Sequence, residues 1–280
     1  MTLGALYAQI RKQFRDAGLP TPDMDAKLLL SHALGCAPDD VILKPDTPVP
    51  AQHAILDAAI KRRLSHEPVS KIIGLRGFYG LDFEVSVDVL DPRPDTETLV
   101  DAVRAHIEGR GPSDARILDL CTGSGCIALA LLSIFPHATA LGADISDAAL
   151  AVAARNVARH GQDRRMTLVK SIWLENIEGQ YDVMTCNPPY IPAGDIAALD
   201  VDVRLYDPMM ALDGGDDGLN PYRILFPQIR NLLKTGGAAF FEIGIGQAED
   251  AHKIADTCGL QVSDVKRDLG GIERVVCLRA

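Results

Sequence analysis

No run in this chain is long and apolar enough to cross a bilayer. The longest nearly apolar stretch, Ile127 to Phe135, falls well short of the roughly 20 residues a spanning helix needs. The six cysteines are scattered without a Cys-x-x-Cys, and the seven histidines form no His-Glu-x-x-His. Reduced, mostly buried thiols and no metal are therefore expected. Gly123-Ser124-Gly125 is not the Gly-x-Ser-x-Gly elbow of a hydrolase, and Lys234-Thr235 lacks the glycine-rich run of a phosphate-binding loop. Aromatic residues are few, 5%, with a single Trp.

Basic charge is also short. The net charge of −10 divides unevenly: residues 1–75 carry nine Lys/Arg against eight Asp/Glu, and residues 76–280 carry nineteen against thirty. A protein that tracks a nucleic-acid backbone needs basic surface to displace counterions, so no direct nucleic-acid partner is expected. Arg11 and Lys12 follow an amphipathic stretch where a secretion signal would put its apolar core. That pattern predicts a cytoplasmic protein, with no membrane association, acting as a monomer.

The 280 residues suffice for one large or two smaller domains. Leu3, Leu6, Tyr7, Ile10 and Phe14 recur at helical spacing until Gly18-Leu19-Pro20. Asp25 to Leu34, stopped by Gly35, and Gln52 to Leu64 read as further helices, with a short one at Val41-Ile42-Leu43. Residues 1–75 are thus expected to form a helical bundle suited to substrate recognition. Between Leu75 and Leu90 the period changes to two, with Phe83, Val85, Val87 and Val89 alternating after a Gly80-Leu81-Asp82 turn. That predicts a β-hairpin linker over 76–92. In Asp91-Pro92-Arg93-Pro94-Asp95-Thr96-Glu97, Asp95 is a candidate N-cap and Glu97 a favourable first-turn charge.

From Arg116 onward strands and helices alternate, which predicts an α/β domain over 93–280 with a doubly wound, mainly parallel sheet. Five strands are expected at Ile117–Leu120, Ala138–Ala143, Met166–Val169, Asp182–Cys186 and Ala238–Ile243. Val262–Val265 and Arg274–Leu278 read as a closing pair. Cys126 to Phe135 is a predicted helix, and Ser146 is the predicted cap of another that Gly161 closes.

Two loops at strand ends carry the chemistry. Asp119-Leu120-Cys121-Thr122-Gly123-Ser124-Gly125 lies where the first strand meets its helix, and Asp144 ends the next strand where a ribose diol would lie. Gly123, Gly125 and Ala128 also fit a nicotinamide dinucleotide. A pyrophosphate sits badly beside Asp119, whereas S-adenosylmethionine has no phosphate and carries two cationic groups. Trp173, after the third strand, could cover a purine face or fill the core. The second loop is Asn187-Pro188-Pro189-Tyr190. The consecutive prolines forbid ladder and helix alike, and Asn187 is pushed into an extended conformation that aims its side chain. An amide oxygen, a proline carbonyl and an aromatic face make a receptor for a planar –NH2 group.

Asn-Pro-Pro-Tyr at this position resembles the catalytic tetrapeptide of S-adenosylmethionine-dependent methyltransferases acting on planar nitrogens. With the helical N-terminal part, Pro92 to Glu97, Ile117 to Gly125 and Asp213-Gly214-Gly215-Asp216-Asp217-Gly218-Leu219, the chain resembles the HemK-type peptide-chain release factor glutamine methyltransferases. That resemblance implies a seven-stranded Rossmann-like methyltransferase sheet and a methyl donor held by Asp119, Cys121, Thr122, Gly123, Ser124, Gly125, Asp144, Trp173 and Asn187. It also implies that a release-factor glutamine, in a Gly-Gly-Gln tripeptide, is held by Asn187, Pro188, Pro189 and Tyr190, with Asn187, Pro188 and Tyr190 catalytic. Three positions depart from the family pattern: Cys121 where Gly is common, Ile172 where an acid often stands, and Asp91 where an apolar residue is usual. Methylation of a ribosomal-protein glutamine, adenine N6 methylation and non-catalytic binding of release factors are the alternatives.

Overall fold

The computed structural model describes residues 1–50, 53–110 and 114–280. The chain divides into two compact units, one comprising residues 1–75 and 200–206, the other residues 76–199 and 207–280.

The first unit is built from helices at Leu3–Asp16, Pro22–Leu34, Asp40–Leu43, Ala54–Leu64 and Val69–Ile73, joined by Val201–Tyr206 from far along the chain. Thr2 caps the first helix through its hydroxyl, and Gly35 ends the second in the left-handed conformation, φ 65°. The expected start of the third long helix, Gln52, lies outside the described residues. The apolar stripes meet in a core that includes Ile10, Phe14, Leu29, Leu30, Val41 and Leu56. One ionic cluster is enclosed with them. Arg63, 3% exposed, donates to Asp25 at 2.7 Å, to Asp202 at 3.0 Å and to the Glu67 carbonyl at 3.2 Å. Tyr206 adds a hydroxyl bond to the Ser65 carbonyl at 2.7 Å.

The second unit opens with a hairpin of β1 (Leu75–Phe78, whose first residue ends the first unit) and β2 (Leu81–Glu84). The second strand stops at Glu84 rather than running to Leu90. Ser86 and Asp88 close a local side-chain turn, Asp88 N–H to Ser86 Oγ at 3.2 Å, which takes the chain off the ladder. Val85 and Val89 still bury themselves, against Ala149 and Val152, so the alternation is real without being a strand. Asp95 is likewise not an N-cap. It lies in a 3₁₀ turn, Pro94–Thr96, that runs straight into the helix Glu97–Glu108, and its carboxylate pairs with Arg274 at 3.1 Å. Glu97 accepts the Tyr79 N–H at 2.8 Å.

The main sheet contains β3 (Arg116–Leu120), β4 (Thr139–Asp144), β5 (Met166–Lys170), β6 (Tyr181–Cys186), β7 (Leu233–Glu242), β8 (Gln261–Arg267) and β9 (Glu273–Arg279). Its order is β5-β4-β3-β6-β7-β9-β8, parallel from β3 to β7 and antiparallel where β9 meets β7 and β8. This is the expected seven-stranded, mainly parallel sheet. The side-chain period of two splits the core between its faces. Ile117, Val183 and Phe240 pack with Leu99, Val103 and Leu129 on one side, and Leu118, Met184 and Phe241 pack with Tyr222, Phe226 and Ala251 on the other. The strand order reverses between β3 and β6, and such a switch point opens a crevice at the carboxyl ends of the strands.

The Arg63 cluster gives the first prediction. Arg63→Ala strands the enclosed Asp25 carboxylate, so it should cost about 3–5 kcal/mol in urea unfolding. The Arg63→Met, Asp25→Leu pair should cost much less. Equal losses for the two would show that the cluster's charge does not govern stability.

Candidate functional site

A cavity of about 750 Å³ opens at that crevice. Its walls come from the ends of four parallel strands: Cys121 to Ser124 after β3, Asp144 to Ser146 after β4, Ser171 to Trp173 after β5, and Asn187 with Pro189 after β6. Val87, Arg93, Thr96 and Pro208–Ala211 with Asp213 are among the other residues that line it.

The β3 loop is held from two sides. Asp144 accepts the Gly123 N–H at 2.9 Å and the Ser146 N–H at 3.0 Å. Burial raises its pKa, and those two amides oppose the rise. Each carboxylate oxygen retains acceptor capacity toward the cavity. Asp119 lies beneath the loop, fully buried, accepting from Thr122 Oγ1 and Thr185 Oγ1, each at 2.6 Å. Burial pushes it from 3.8 up to about 6, with the nearby Asp144 adding to the rise. So placed, Asp119 shapes the loop from below and is not among the residues that line the cavity. Gly125 is also off the wall, at the N-terminus of the helix Cys126–Ile134 with φ 80°. Cys121 takes φ 54°, a left-handed conformation that glycine adopts without strain. That explains why glycine suits this position.

Trp173 stands between core and cavity. It is half-buried against the core and it lines the cavity. In the second loop Asn187 and Pro189 line the cavity, Pro188 is buried and Tyr190 is half-buried. The Tyr190 hydroxyl donates to Glu242 Oε1 at 3.2 Å. The Asn187 amide donates through Nδ2 to Thr96 Oγ1 at 3.3 Å. This arrangement brings Asn187 and Pro189 into one cavity with Asp144 and the Cys121–Ser124 loop.

Residues 5–74 match the model of the PrmC N-terminal domain, and residues 86–205 match that of the methyltransferase small domain. A release factor glutamine methyltransferase of Rhodospirillum rubrum is 46% identical over 280 residues, covering 100% of this chain and 85% of that protein. Another, of Agrobacterium fabrum, is 42% identical over 283 residues, covering 99% and 97%. The chain belongs to the release factor glutamine methyltransferase family. A methyltransferase structure from Pyrococcus furiosus, 18% identical, superposes with a TM-score of 0.53 over 78% of this chain and 95% of that one, and so shares the fold.

In this methyltransferase several supporting residues escaped sequence reasoning. Asn156, fully buried in a helix, donates to the carbonyls of Ser124 at 2.9 Å and Glu84 at 3.0 Å and accepts the Glu84 N–H at 2.7 Å. It ties the β3 loop to the hairpin. Asp207 binds Arg93 at 2.6 Å and the Asp91 N–H at 3.2 Å, fixing the Pro-Arg-Pro stretch. Gln247 donates to the Tyr190 carbonyl at 2.8 Å and accepts the Gly244 N–H at 2.8 Å. A polar residue between apolar helical positions was the only sequence signal for Asn156, and it has no partner in its own neighbourhood.

Asp119 titrates in a way that can be measured. Its folded pKa is raised, so the folded chain holds that proton more tightly than the unfolded one does. Stability from this group is therefore largest at low pH and declines as pH rises from about 4 through about 6. The difference in melting temperature between Asp119→Asn and the parent should shift toward the variant over that interval. A difference that stays flat in calorimetry would remove Asp119 as a titrating group there.

Proposed function

We propose that this chain transfers a methyl group from S-adenosylmethionine to the side-chain amide nitrogen of the glutamine in the Gly-Gly-Gln tripeptide of peptide-chain release factors. The observation that carries this reading is that the Asn187 amide and the Cys121–Ser124 loop line the same cavity. Full-length similarity to proteins named for that activity supports it. The methyl donor supplies an electrophilic carbon on a sulfonium. Asp144 would hold its ribose hydroxyls, Trp173 its adenine face, and the Cys121–Gly125 loop its amino-acid portion, with Asp119 anchoring that loop from below. An acidic wall suits a cationic donor and repels a pyrophosphate.

An amide nitrogen is a weak nucleophile because its lone pair is delocalised, so the site must orient it. The Asn187 Oδ1 and the Pro188 carbonyl would accept its two N–H groups, Pro189 would bound its plane, and Tyr190 would brace the loop from behind through Glu242. As the nitrogen–carbon bond forms and the carbon–sulfur bond breaks, one amide proton leaves to solvent. Orientation supplies most of the rate gain.

The helical first unit, near neutral where the remainder is acidic, is the surface to which we assign release-factor recognition. The reading takes the enzyme to act as a cytoplasmic monomer without touching nucleic acid, as its acidic balance suggests.

The test is mass spectrometry of purified release factor after incubation with the protein and labelled S-adenosylmethionine, beside a Gly-Gly-Ala control, a ribosomal-protein substrate and an adenine-containing duplex. Methyl on the tripeptide glutamine is expected, and methyl on the duplex alone would overturn the substrate. Asn187→Ala should lower single-turnover methylation by about two to four orders of magnitude, since a displacement of about 1 Å can cost about a hundredfold. Asp144→Ala should instead weaken donor affinity about ten- to a hundredfold in calorimetric titration, the loss of charge-assisted hydrogen bonds.

A further inference from the structure

Two of the six thiols meet where the two site loops begin. Cys186 ends β6, immediately before Asn187, and Cys121 opens the loop after β3; their sulfurs stand 3.9 Å apart. Among the described residues no other two cysteines make such a contact. The meeting follows from the parallel register. Leu120 and Cys186 are partners across β3 and β6, so Cys121 lies one residue beyond the partner of Cys186. Strands about 4.8 Å apart, rising about 3.3 Å per residue, put the two Cα atoms roughly 6 Å from each other. That falls inside the span of about 4.4–6.8 Å that a disulfide bridges. The two sulfurs differ in access. Cys121 is half-buried and lines the cavity, whereas Cys186 is fully enclosed and is not part of the wall.

We propose that Cys121 and Cys186 are a redox-responsive thiol pair, which a peroxide entering the cavity closes into a disulfide that reversibly shuts the enzyme off. The Cys121 sulfur attacks one peroxide oxygen and the O–O bond breaks, leaving a sulfenic acid and, from hydrogen peroxide, one water. The Cys186 sulfur then attacks the Cys121 sulfur, the S–OH bond breaks, and the hydroxyl leaves with the Cys186 proton as a second water. Two electrons pass from the thiols to the peroxide. Burial raises the Cys186 pKa well above the ordinary thiol value, so that proton is still in place when the departing hydroxyl takes it.

Closing the pair distorts the site. An S–S bond of about 2 Å brings the sulfurs about 2 Å closer than the 3.9 Å contact. Cys186 yields little, because it is paired with Leu120 on one side and Phe241 on the other. Cys121 lies off the ladder in its left-handed conformation, φ 54°, so the loop gives way. The next two residues carry the bonds that shape that loop: Thr122 Oγ1 to Asp119 at 2.6 Å, Thr122 N–H to the Ala143 carbonyl at 3.0 Å, and Gly123 N–H to Asp144 at 2.9 Å. A pull on Cys121 strains all three, and with them the wall assigned above to the donor's amino-acid portion. The bond itself is independent of the proposed function; its effect on methylation rests on that reading.

The experiment treats the full-length protein with graded hydrogen peroxide, with and without S-adenosylmethionine at about ten times its Kd. Peptide mass spectrometry reads the cross-link, with fragmentation separating Cys121 from Cys126, and single-turnover methylation reads the site. A Cys121–Cys186 cross-link is expected, with methylation about a hundredfold lower, since a displacement of about 1 Å can cost that much. Dithiothreitol should reverse both. Bound donor, covering Cys121, should slow the cross-link about tenfold by mass action. In Cys186→Ser the oxidised Cys121 has no second thiol and advances to the sulfinic acid, so the loss relative to the untreated variant should become permanent. Maps of the oxidised parent without the cross-link would overturn the proposal. So would a loss in Cys186→Ser that dithiothreitol reverses as fully as in the parent, or a cross-linking rate that bound donor leaves unchanged. If Cys186→Ser does not fold, the maps of the parent decide. A cross-link that forms as expected in a protein that methylates no glutamine would sink the functional reading and leave the thiol pair standing.

Discussion

The Asp119 carboxylate, pinned between two threonine hydroxyls, is the constraint on which the site depends. Asp119 and Thr185 are direct partners across β3 and β6, and Thr122 reaches the other carboxylate oxygen from the loop above. One buried group thereby fixes the conformation of the β3 loop and the register of β6, two residues before Asn187. The parallel pairing of β3 with β6 brings the two loops to the same end of the sheet, and the Asp119 bonds hold them there against local rearrangement. A charge so deeply enclosed costs several kcal/mol unless its acceptor sites are filled. Here the two threonine hydroxyls, one on each oxygen, supply the donors.

The Asn187–Tyr190 loop is shaped by a second constraint, one of space. The Asp213–Leu219 segment lies directly against it. A Cβ on Gly214 would come within 2.8 Å of the Pro189 carbonyl, and one on Gly218 within 2.3 Å of the Tyr190 carbonyl. Glycine is required at both positions because backbone meets backbone, and at Gly218 the φ of 75° requires it again. Gln247 then bridges the Tyr190 and Gly218 carbonyls, at 2.8 and 3.4 Å. The glycines and acids of this segment buttress the proline loop, which the prolines alone would leave stiff but unaimed.

These arrangements mark where the sequence was legible and where it was not. Strands β3 to β7 and β9 could be read because each carries its own apolar run, and the helix after Ser146 because a cap and a terminal glycine bracket it. The two strand-end loops could be placed for the same reason. Residues whose partners lie far away were misread or passed over. Asp95 has the chemistry of a cap but is drawn to Arg274, nearly two hundred positions along. Val85 to Val89 alternate like a strand, but no neighbouring strand is offered to them. Tyr190 was assigned to a substrate because tyrosine after a strand end has an aromatic face to offer. The bond from its hydroxyl to Glu242 was passed over, because Glu242 reads in sequence as the mere end of an apolar strand.

Glu242, Asp119 and Asp144 share one physical circumstance. All three are carboxyls near the carboxyl ends of the parallel strands, and burial raises the pKa of each. An isolated chain bears a cost for that concentration of desolvated acid, moderated by hydroxyl and amide donors but not removed. A cation entering the cavity beside them relieves it, because opposite charge favours the ionised form. Under the proposed function the methyl donor brings two such charges, and the methyl transfer that neutralises its sulfonium also withdraws part of that relief. The same carboxylates that favour the charged donor therefore hold the neutral thioether product less tightly, so the electrostatics that assemble the site also favour its release after the reaction.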